Sequence, residues 1–515
     1  MAIEPDFSTF AKTYREGKPQ VVFSRLVADL LTPVGAYLKL AQNRDNAFLL
    51  ESVQGGDSRG RYSIIGLKPD LIWRLRELKA EINHTAEDSP DAFVPDSPAD
   101  DPLAALRRLV VATRMDLPAG LPPMAVGLFG YIGYDTVRLI EPQKLSQPKT
   151  DPLGLPDAIL IRPTLTAVFD TVRDEITLVT PVWPRAEIDA ATAYARARAR
   201  IAEALTELER PLPSTSAAGI DLPLGVAAQS NTTREDYLAM VERAKSYIRA
   251  GDIFQVVPSQ RFCRPFALPS IALYRALRRL NPSPFLYHLT FPGFAIVGSS
   301  PEILVRLRDG MVTIRPIAGT KRRGASPAED EALAHELMAD PKERAEHLML
   351  LDLGRNDVGR VAQTGAVKVT DSFFIERYSH VMHLVSNVEG RIRPELDAID
   401  ALAAGLPAGT LSGAPKIRAM QIIDELETDK RGAVYAGAVG YIAADGSMDT
   451  CIVLRTAVVK DGTMYVQAGG GVVADSVPQA EYEESVNKAK ALLAAAEEAT
   501  RYAVAVEHSY DRAQD

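Results

Sequence analysis

The sequence is poor in cysteine and in histidine. Its 515 residues include two cysteines and seven histidines. Cys263 and Cys451 are too few for a disulfide framework and lack the spacing of a metal site, which excludes a disulfide-stapled or zinc-finger protein. We expect both to be small buried hydrophobic residues, and their scarcity is typical of a reducing cytoplasm.

Basic stripes and long apolar runs are missing as well. Asp and Glu number 67 against 58 Lys and Arg, a formal net charge of −9, so no basic surface is available for nucleic acid. No stretch approaches the ~18 apolar residues of a membrane helix, and the first residues lack a basic region followed by an apolar run. We therefore expect a cytoplasmic protein without nucleic-acid or membrane partners.

What is present indicates a large globular protein with many turns. Hydrophobic residues make up 46% of the chain, and 35 prolines accompany 34 glycines. A proline-bearing stretch over residues 211–230 follows a predicted helix over 186–210 and is the best candidate boundary between two halves. We divide the chain into an N-terminal domain (20–182), a helix and linker (183–230), a second domain (231–493) and a C-terminal helix end and tail (494–515).

The second half is predicted to be rich in antiparallel strands. It opens with a helix over 234–250, which has cap oxygens before it and acidic residues in its first turn. Consecutive strands joined by short turns then favour antiparallel pairing and an α+β class. The predicted strands cover residues 254–257, 295–298, 303–307, 312–316, 434–442, 450–458 and 464–469.

Two glutamates are candidate metal ligands. Asp340 and Pro341 predict the start of a helix that carries Glu346, and a terminal helix from about Pro478 carries Glu484. On pattern alone Glu346 is a half-buried acid of an amphipathic helix, and Glu484 is a surface partner for the lysine four residues on. The alternative is that both hold Mg²⁺, which prefers oxygen ligands and keeps several waters.

His383 and Glu302 are candidate acid–base groups. Alternation over 379–385 places His383 and Val381 on one face of a strand, where a histidine is either structural or a tunable acid or base. Glu302 follows an apolar run, so it is either a loop acid or a buried carboxyl with a raised pKa.

An anion site is predicted near the end of the chain. Arg455 lies within the apolar run of the predicted strand over 450–458, and a buried arginine needs an anionic partner. Gly469, Gly470 and Gly471 offer open backbone N–H groups to the same anion, and Gly440 beside Tyr441 is expected to leave its N–H open in the same way. The segment 409–416 superficially suggests a nucleotide phosphate loop, but its spacing fails and proline stands where that pattern requires glycine.

At these residues the chain resembles the large-subunit (component I) family of anthranilate synthases, within the chorismate-using enzymes. The resemblance runs from about residue 21 to residue 493. It is carried by residues 49–53, 127–131, 252–257, 316–320, 345–356, 380–385, 410–416 and 449–455.

The resemblance implies both a fold and a reaction. The fold is two interlocked subdomains, with largely antiparallel sheets packed as an α/β sandwich and helices outside. The reaction is the Mg²⁺-dependent conversion of chorismate and ammonia to anthranilate and pyruvate through aminodeoxyisochorismate, the first step of tryptophan biosynthesis. The enzymes of this family are lyases that L-tryptophan inhibits by feedback.

The resemblance also implies roles for the candidate residues. Glu346 and Glu484 hold the Mg²⁺ that grips the ring carboxylate, and Glu302 is the general acid for the departing C4 hydroxyl, which His383 and Thr410 contact. His383 also lies near enough to assist the later proton removal. The groups implied for the enolpyruvyl carboxylate and the surrounding pocket are Arg455, Tyr435, Gly469, Gly470, Gly471, Gly319 and Thr320.

Two positions separate the chain from relatives with other products. Relatives that make isochorismate or salicylate carry a lysine base where Gln255 stands, and glutamine cannot deprotonate water. Aminodeoxychorismate synthases carry a nucleophilic lysine in place of Ala318. Ammonia is therefore the expected nucleophile; aminodeoxychorismate synthase component I and a non-catalytic sensor of chorismate or tryptophan are the alternatives.

A separate partner and an inhibitor site complete the implied enzyme. The chain has no Gly-Cys-Leu-Gly-His elbow, so a glutamine amidotransferase subunit (component II) would supply ammonia within a heterotetramer of two large and two small chains. Relatives often carry Tyr-Met where this chain has Phe285-Leu286. The residues that resemble the tryptophan site are Glu51, Ser52, Pro284, Phe285 and Leu286.

Overall fold

The computed structural model describes residues 2–41, 44–52, 60–96, 101–145, 149–212, 226–378, 381–432 and 434–504. Within the predicted linker, residues 213–225 lie outside this description. The same holds for residues 505–515 of the predicted tail, for residues 53 and 380, which belong to motifs of the resemblance, and for residue 379 of the predicted strand over 379–385.

The strands of the first half are β1 Gln20–Val27, β2 Ala47–Ser52, β3 Tyr62–Arg76, β4 Lys79–Asn83, β5 Val94–Pro95, β6 Gly127–Ile132, β7 Ala158–Asp170, β8 Glu175–Val182 and β9 Gln229–Ser230. Those of the second half are β10 Gln255–Val256, β11 Ser259–Pro265, β12 Phe285–Phe291, β13 Phe294–Ser300, β14 Ile303–Arg308, β15 Met311–Ile314, β16 Ile317–Arg322, β17 Lys368–Arg377, β18 Val381–Arg391, β19 Gly413–Ala414, β20 Ala438–Ala443, β21 Met448–Ile452, β22 Thr456–Lys460 and β23 Thr463–Gly469.

The α-helices are α1 Phe7–Arg15, α2 Pro33–Ala41, α3 Pro102–Thr113, α4 Val137–Ile140, α5 Ala190–Glu209, α6 Arg234–Arg249, α7 Ser270–Leu280, α8 Pro327–Ala339, α9 Pro341–Val361, α10 Ala398–Gly405, α11 Gly409–Ser412, α12 Lys416–Leu426, α13 Pro478–Glu498 and α14 Thr500–Val504. Within the described ranges none of them combines the length and apolar character needed to cross a bilayer.

The strands form two sheet layers joined by two long strands. One layer runs β11-β23-β22-β13-β12-β2-β3 and the other runs β7-β6-β20-β21-β14-β15-β18. Strands β3 and β7 pair along most of their length, with a register shift between Pro69 and Leu71. All named strand ladders in the described residues are antiparallel, which confirms the α+β class.

Three apolar cores define the layers of the molecule. One core lies between the sheets and includes Phe48, Phe129 and Val458. A second fills the space between the first sheet and α1, α2, α5, α7 and α13. A third packs α3, α9, α10 and α12 on the other sheet. The protein is therefore a sandwich of two sheets with helices outside.

The two halves of the sequence interlock within these sheets. Strand β2 pairs with β12, and β6 pairs with β20. First-half and second-half strands thus share both layers, so the first half contributes directly to the sheets that hold the second half's polar residues. The domain limits proposed from the sequence remain a prediction.

Several predicted element boundaries are wrong. The strand expected over 450–458 is broken after Ile452 and resumes at Thr456, because Arg455 adopts a φ of 45° that ends the ladder. The strand expected over 434–442 begins only at Ala438, since Ala436 has a φ of 65°. Helix α5 begins after Asp189, whose carboxylate caps the amide of Thr192 at 2.8 Å.

The idea that Gly440 exposes its backbone to an anion is also wrong. Gly440 lies inside β20 between Gly130 of β6 and Thr450 of β21. A Cβ there would stand 2.1 Å from the carbonyl oxygen of Asp449. Glycine at this position therefore permits close approach of three strands.

We predict that Gly440→Ala lowers the free energy of unfolding by about 1–3 kcal/mol or more, because the added methyl group overlaps backbone that is fixed on both sides. Chemical denaturation measures the change. Gly359→Ala is the matched control: it lies exposed in α9 with nothing within 4 Å of a new Cβ, so stability should be unchanged or slightly higher. Equal effects of the two substitutions would contradict this account of Gly440.

Candidate active site

A cavity of about 660 Å³ opens between α13 and the ends of β13, β16 and β18. Four residues singled out from the sequence line it, together with others that the sequence did not indicate, among them Tyr378 and Asn281. The four are Thr320, His383, Arg455 and Glu484. Residues from distant parts of the chain therefore meet in one cavity.

Arg455 is the cation of this cavity. Its backbone is held by the Ser299 amide, which donates to the Arg455 carbonyl at 3.2 Å. No carboxylate of the described chain lies within 4 Å of its guanidinium, and burial lowers its pKa. A half-buried arginine without a protein counter-ion is suited to bind an anion. The predicted chemistry fits, although Arg455 lies between two strands instead of inside one.

One ring nitrogen of His383 contacts protein, and the other has no hydrogen-bond partner among the described residues. Its Nδ1 lies 2.9 Å from the Gly319 carbonyl and 3.2 Å from the Thr320 hydroxyl. A carbonyl can only accept, so Nδ1 carries the proton and donates to Gly319, and Nε2 is the basic nitrogen. Burial lowers the pKa of His383, which keeps the ring neutral. It is thus available to accept a proton or a hydrogen bond.

Glu302 is a buried carboxyl close to Arg455 and Thr410. The Thr410 hydroxyl lies 3.4 Å from each carboxyl oxygen, and Ile452 donates its amide to the Glu302 carbonyl at 3.0 Å. Burial raises the pKa of Glu302 to about 8. The carboxyl therefore carries a proton at neutral pH, as a general acid must.

Each of the three consecutive glycines allows a close approach. A Cβ at Gly469 would lie 2.2 Å from the Pro258 carbonyl oxygen, and one at Gly471 would lie 2.3 Å from the Gln255 Nε2. At Gly470 the nearest atoms would be carboxylate oxygens of Glu481 and Glu484, at 3.1 and 3.5 Å. The glycine run thus brings the backbone next to Gln255 and to the acidic face of α13. Gln255 itself is buried, with its Oε1 unpartnered among the described residues.

Tyr435 is buried next to this run. It lies in the turn before β20, and burial raises its pKa to about 12. The guanidinium carbon of Arg431 lies 5.6 Å from its ring centroid. Its hydroxyl is therefore a hydrogen-bond donor at any physiological pH.

Four carboxylates on two helices form the acidic part of the site. Glu346 and Glu343 lie on α9, and Glu484 and Glu481 lie on α13. Burial raises the pKa of Glu346, and the neighbouring Glu343 and Glu484 raise it further. Burial also raises the pKa of Glu481, and the neighbouring Glu484 raises it further. The Oε2 atom of Glu481 is buried and has no hydrogen-bond partner in the described structure. Crowded carboxylates of this kind are stabilised by a bound cation.

The sequence reasoning missed Glu343 and Glu481. The signal was available, since each lies three residues before a predicted ligand and so shares its helix face. The expected surface pair is also present, with Lys488 Nζ 2.7 Å from Glu484. Across the described ranges no three His, Cys, Asp or Glu side chains are close enough to form a ready metal cluster. The donor set suits a hard cation that keeps several waters, such as Mg²⁺.

The residues expected at the inhibitor site also come together. In the β2–β12 ladder Glu51 pairs with Leu286 and Ser52 with Phe285, directly after Pro284. Leu286 is buried and Phe285 is half-buried. These residues form one compact cluster at the end of two paired strands.

Both carboxylate oxygens of Glu51 have partners on α7. Arg278 donates to them at 2.7 and 3.1 Å, and the Tyr274 hydroxyl donates to one of them. The loop after α7, residues 281–283, lines the main cavity and leads directly into Pro284. The two sites therefore share this loop.

Comparisons with known proteins identify the family of the chain. The family model described as chorismate binding enzyme matches residues 47–494. The chain therefore belongs to the chorismate binding enzyme family. It is similar to proteins named anthranilate synthase component 1: 57% identical to that of Cereibacter sphaeroides, covering 96% of this chain and 98% of that protein, and 51% identical to that of Pseudomonas aeruginosa, covering 91% and 94%.

Solved structures confirm the fold. The crystal structure of anthranilate synthase component I from Streptococcus pneumoniae has a TM-score of 0.74 at 38% identity, covering 91% of this chain and 99% of that one. The menaquinone-specific isochorismate synthase of Escherichia coli has a TM-score of 0.67 at 19% identity, covering 95% and 100%. The second likeness concerns the fold alone.

We predict that Glu302→Gln changes the pH dependence of stability. An unfolded glutamate ionises near pH 4.5, whereas burial holds the Glu302 proton to about pH 8. Between these values the folded state binds the extra proton, so wild-type stability falls as pH rises through this window. The melting temperature of wild type minus that of Glu302→Gln should therefore be smaller at pH 8 than at pH 4.5.

The exposed Glu395 provides the control, since Glu395→Gln removes a carboxyl that lies in solvent. Its melting temperature should follow that of wild type at both pH values. A constant offset between Glu302→Gln and wild type across the window would contradict the raised pKa.

Proposed function

We propose that this chain is the large subunit of an anthranilate synthase, which converts chorismate and ammonia to anthranilate, pyruvate and water in the first step of tryptophan biosynthesis. The observation that carries the proposal is the cavity in which Arg455, a cation without a protein counter-ion in the described chain, meets neutral His383, with the protonated carboxyl of Glu302 buried close to Arg455. Chorismate carries two carboxylates and a hydroxyl that must leave. The identity with proteins named anthranilate synthase component 1 supports the same reaction.

The chain's own groups account for substrate binding and for the leaving group. The Arg455 guanidinium, the Tyr435 hydroxyl and the N–H groups of Gly469 to Gly471 hold the enolpyruvyl carboxylate. Gly319 and Thr320 line the part of the pocket that would hold the ring of chorismate. The Glu302 carboxyl donates its proton to the departing C4 hydroxyl, which leaves as water, and Thr410 and His383 Nε2 contact that oxygen.

The later steps need a base and no nucleophilic lysine. Ammonia forms the new C–N bond at ring C2. Loss of the C2 proton and cleavage of the bond to the enolpyruvyl oxygen then release pyruvate and leave an aromatic ring. His383 Nε2 is a basic nitrogen that faces this cavity, and it is the proposed base. Ala318 has no amine and Gln255 cannot deprotonate water, which leaves ammonia as the nucleophile.

Glu346 and Glu484 are the proposed Mg²⁺ ligands, with Glu343 and Glu481 beside them on the same helix faces. A bound Mg²⁺ supplies positive charge for the ring carboxylate as charge accumulates there. These glutamates would place the facing sides of α9 and α13 at the ring-carboxylate end of the substrate. Burial, and after it repulsion by neighbouring carboxylates, raises the pKa of Glu343, Glu346 and Glu481, and a bound cation would relieve that repulsion.

Ammonia is proposed to come from a separate glutamine amidotransferase subunit in a heterotetramer of two large and two small chains. Cys451 lies buried in β21, where burial raises the pKa of its thiol, so it is unsuited to attack glutamine. Cys263 lies in β11 without a nucleophile elbow around it. Both thiols are free, in keeping with the cytoplasm as the place of the reaction.

We expect the purified chain to form anthranilate from chorismate, Mg²⁺ and an ammonium salt, but not from glutamine. Anthranilate fluorescence follows the product, and EDTA should abolish it. Mass spectrometry of the mixture identifies other products. Aminodeoxychorismate or isochorismate in place of anthranilate would refute the assignment of Ala318 and Gln255.

The metal ligands are tested in the same assay. Glu346→Gln should raise the Mg²⁺ concentration for half-maximal turnover at least ~10-fold, because it removes a charged oxygen ligand. Asp352→Asn is the matched control, since Asp352 lies exposed on the same helix. An unchanged Mg²⁺ requirement in Glu346→Gln would show that the cation binds elsewhere.

L-Tryptophan is the proposed feedback inhibitor, bound at Glu51, Ser52, Pro284, Phe285 and Leu286. Glu51 offers a carboxylate for an α-ammonium group, and Phe285 and Leu286 supply apolar surface. Arg278 already forms an ion pair with Glu51, so the ammonium group of a ligand would share the Glu51 carboxylate with Arg278. The shared loop over residues 281–283 connects the cluster to the main cavity.

We predict that Ser52→Phe raises the tryptophan concentration for half-maximal inhibition at least ~10-fold, because the larger ring fills space beside Phe285. The assay is anthranilate formation at increasing tryptophan, with each variant scaled to its own uninhibited rate. Val94→Phe, a substitution at an exposed position on β5, serves as control and should retain wild-type inhibition. Equal sensitivity of both variants would remove Ser52 from the site.

A further inference from the structure

Arg431 and Glu427 form a buried ion pair behind the cavity. Their side chains are 1% and 7% exposed. Arg431 Nε donates to one oxygen of Glu427 at 3.1 Å and Nη2 donates to the other at 2.9 Å. This two-point contact fixes the plane of the guanidinium.

The remaining donors of Arg431 bind two carbonyls from separate segments. Nη1 donates to the Leu411 carbonyl at 2.7 Å, and Nη2 donates to the Val257 carbonyl. Leu411 follows Thr410 in α11, and Val257 lies two residues after Gln255. One side chain therefore holds both segments that carry these proposed site residues.

Glu427 extends the network to the strand before the glycine run. It accepts from the Ser259 amide at 2.9 Å and from the Ser259 hydroxyl at 2.8 Å. That hydroxyl accepts from Gln467 Nε2 at 2.8 Å, and Gln467 Oε1 accepts from the Gly432 amide. Gln467 lies on β23 two residues before Gly469. The same ion pair thus reaches the third site segment.

Arg431 also packs against aromatic rings. Its guanidinium carbon lies 4.8 Å from the ring centroid of Tyr134 and 5.6 Å from that of Tyr435. Each of its three guanidinium nitrogens already donates to a protein acceptor, so the residue is placed to orient its neighbours and not to bind substrate.

We propose that Arg431 is a positioning residue that sets the relative positions of Thr410, Gln255, Tyr435 and Gly469. Lysine cannot replace it, because a single ammonium lacks the planar fork that joins a carboxylate to two carbonyls. The inference rests on the proposed function for its effect on turnover. Its structural part can be tested without any reaction.

The test compares Arg431→Lys with Arg138→Lys. Arg138 is a similarly buried arginine that pairs with Asp135 and Asp424 at 2.8 to 2.9 Å. Its hydrogen bonds within the described chain go to these two residues and to the Leu145 carbonyl, none of which lies in α11, β10 or β23. Hydrogen–deuterium exchange of both variants is measured first. Arg431→Lys should increase amide exchange at residues 257–259, 411–413 and 467–471, whereas Arg138→Lys should increase it around residues 135–145.

Kinetics with chorismate and ammonium form the second readout. Arg431→Lys should lower kcat/KM at least ~10-fold, with a fall in kcat as well as a rise in KM, since both leaving-group and carboxylate contacts move. Arg138→Lys should keep wild-type kcat/KM per folded molecule. If the two variants lose activity and protection alike, the positioning role is refuted and the pair is only structural.

Ser259→Ala is a milder variant, for use if Arg431→Lys does not fold. Ser259→Ala removes only the hydroxyl between Glu427 and Gln467, and should increase exchange at residues 467–471 with a smaller loss of kcat/KM. Wild-type exchange at these residues in Ser259→Ala would refute the network. If wild type makes no anthranilate, the proposed function fails, while the exchange data still decide the positioning role.

Discussion

One buried ion pair, Arg431 with Glu427, lies where several separate segments of the second half converge. Desolvating two charges is costly, and removing either partner of such a pair typically costs about 3–5 kcal/mol. Here the cost is offset because the hydrogen bonds of both groups go to backbone or to fixed side chains. The segments that carry Thr410, Gln255 and Gly469 are therefore held in fixed relative positions.

The cavity itself holds charges that the protein leaves unbalanced. Arg455 has no counter-ion in the described chain, Glu302 keeps its proton, and the α9 and α13 carboxylates repel one another. Natural proteins tolerate such local conflicts chiefly where a ligand resolves them. A dianionic substrate with a divalent cation has the charges that would balance this set, which is why the site and the proposed reaction agree.

The sequence allowed the fold class and much of the cavity to be predicted, and the misses have physical causes. Residue type and local surroundings pointed to Arg455, Glu302 and His383. A charged residue in or after an apolar run, or a histidine in a chain that has few of them, is by itself a candidate for a functional site. Local pattern could not reveal that Arg455 breaks its strand, since the apolar run around it reads as continuous. Gly440 was misread because a glycine that admits a neighbouring strand has the same sequence signature as one that binds an anion. Contacts such as Arg278 with Glu51 required the tertiary structure.

Helix α7 has one further consequence for control of the enzyme. On one side it presents Tyr274 and Arg278 to Glu51, and through Leu273 and Leu277 it packs in the same core as Leu492 of α13. Closely packed helices transmit displacement because their interior has little free volume. The proposed inhibitor site and α13, which carries the proposed metal ligand Glu484, are thus connected through one apolar core. Apolar substitutions between α7 and α13, which touch neither proposed ligand, would then alter the coupling between the two sites.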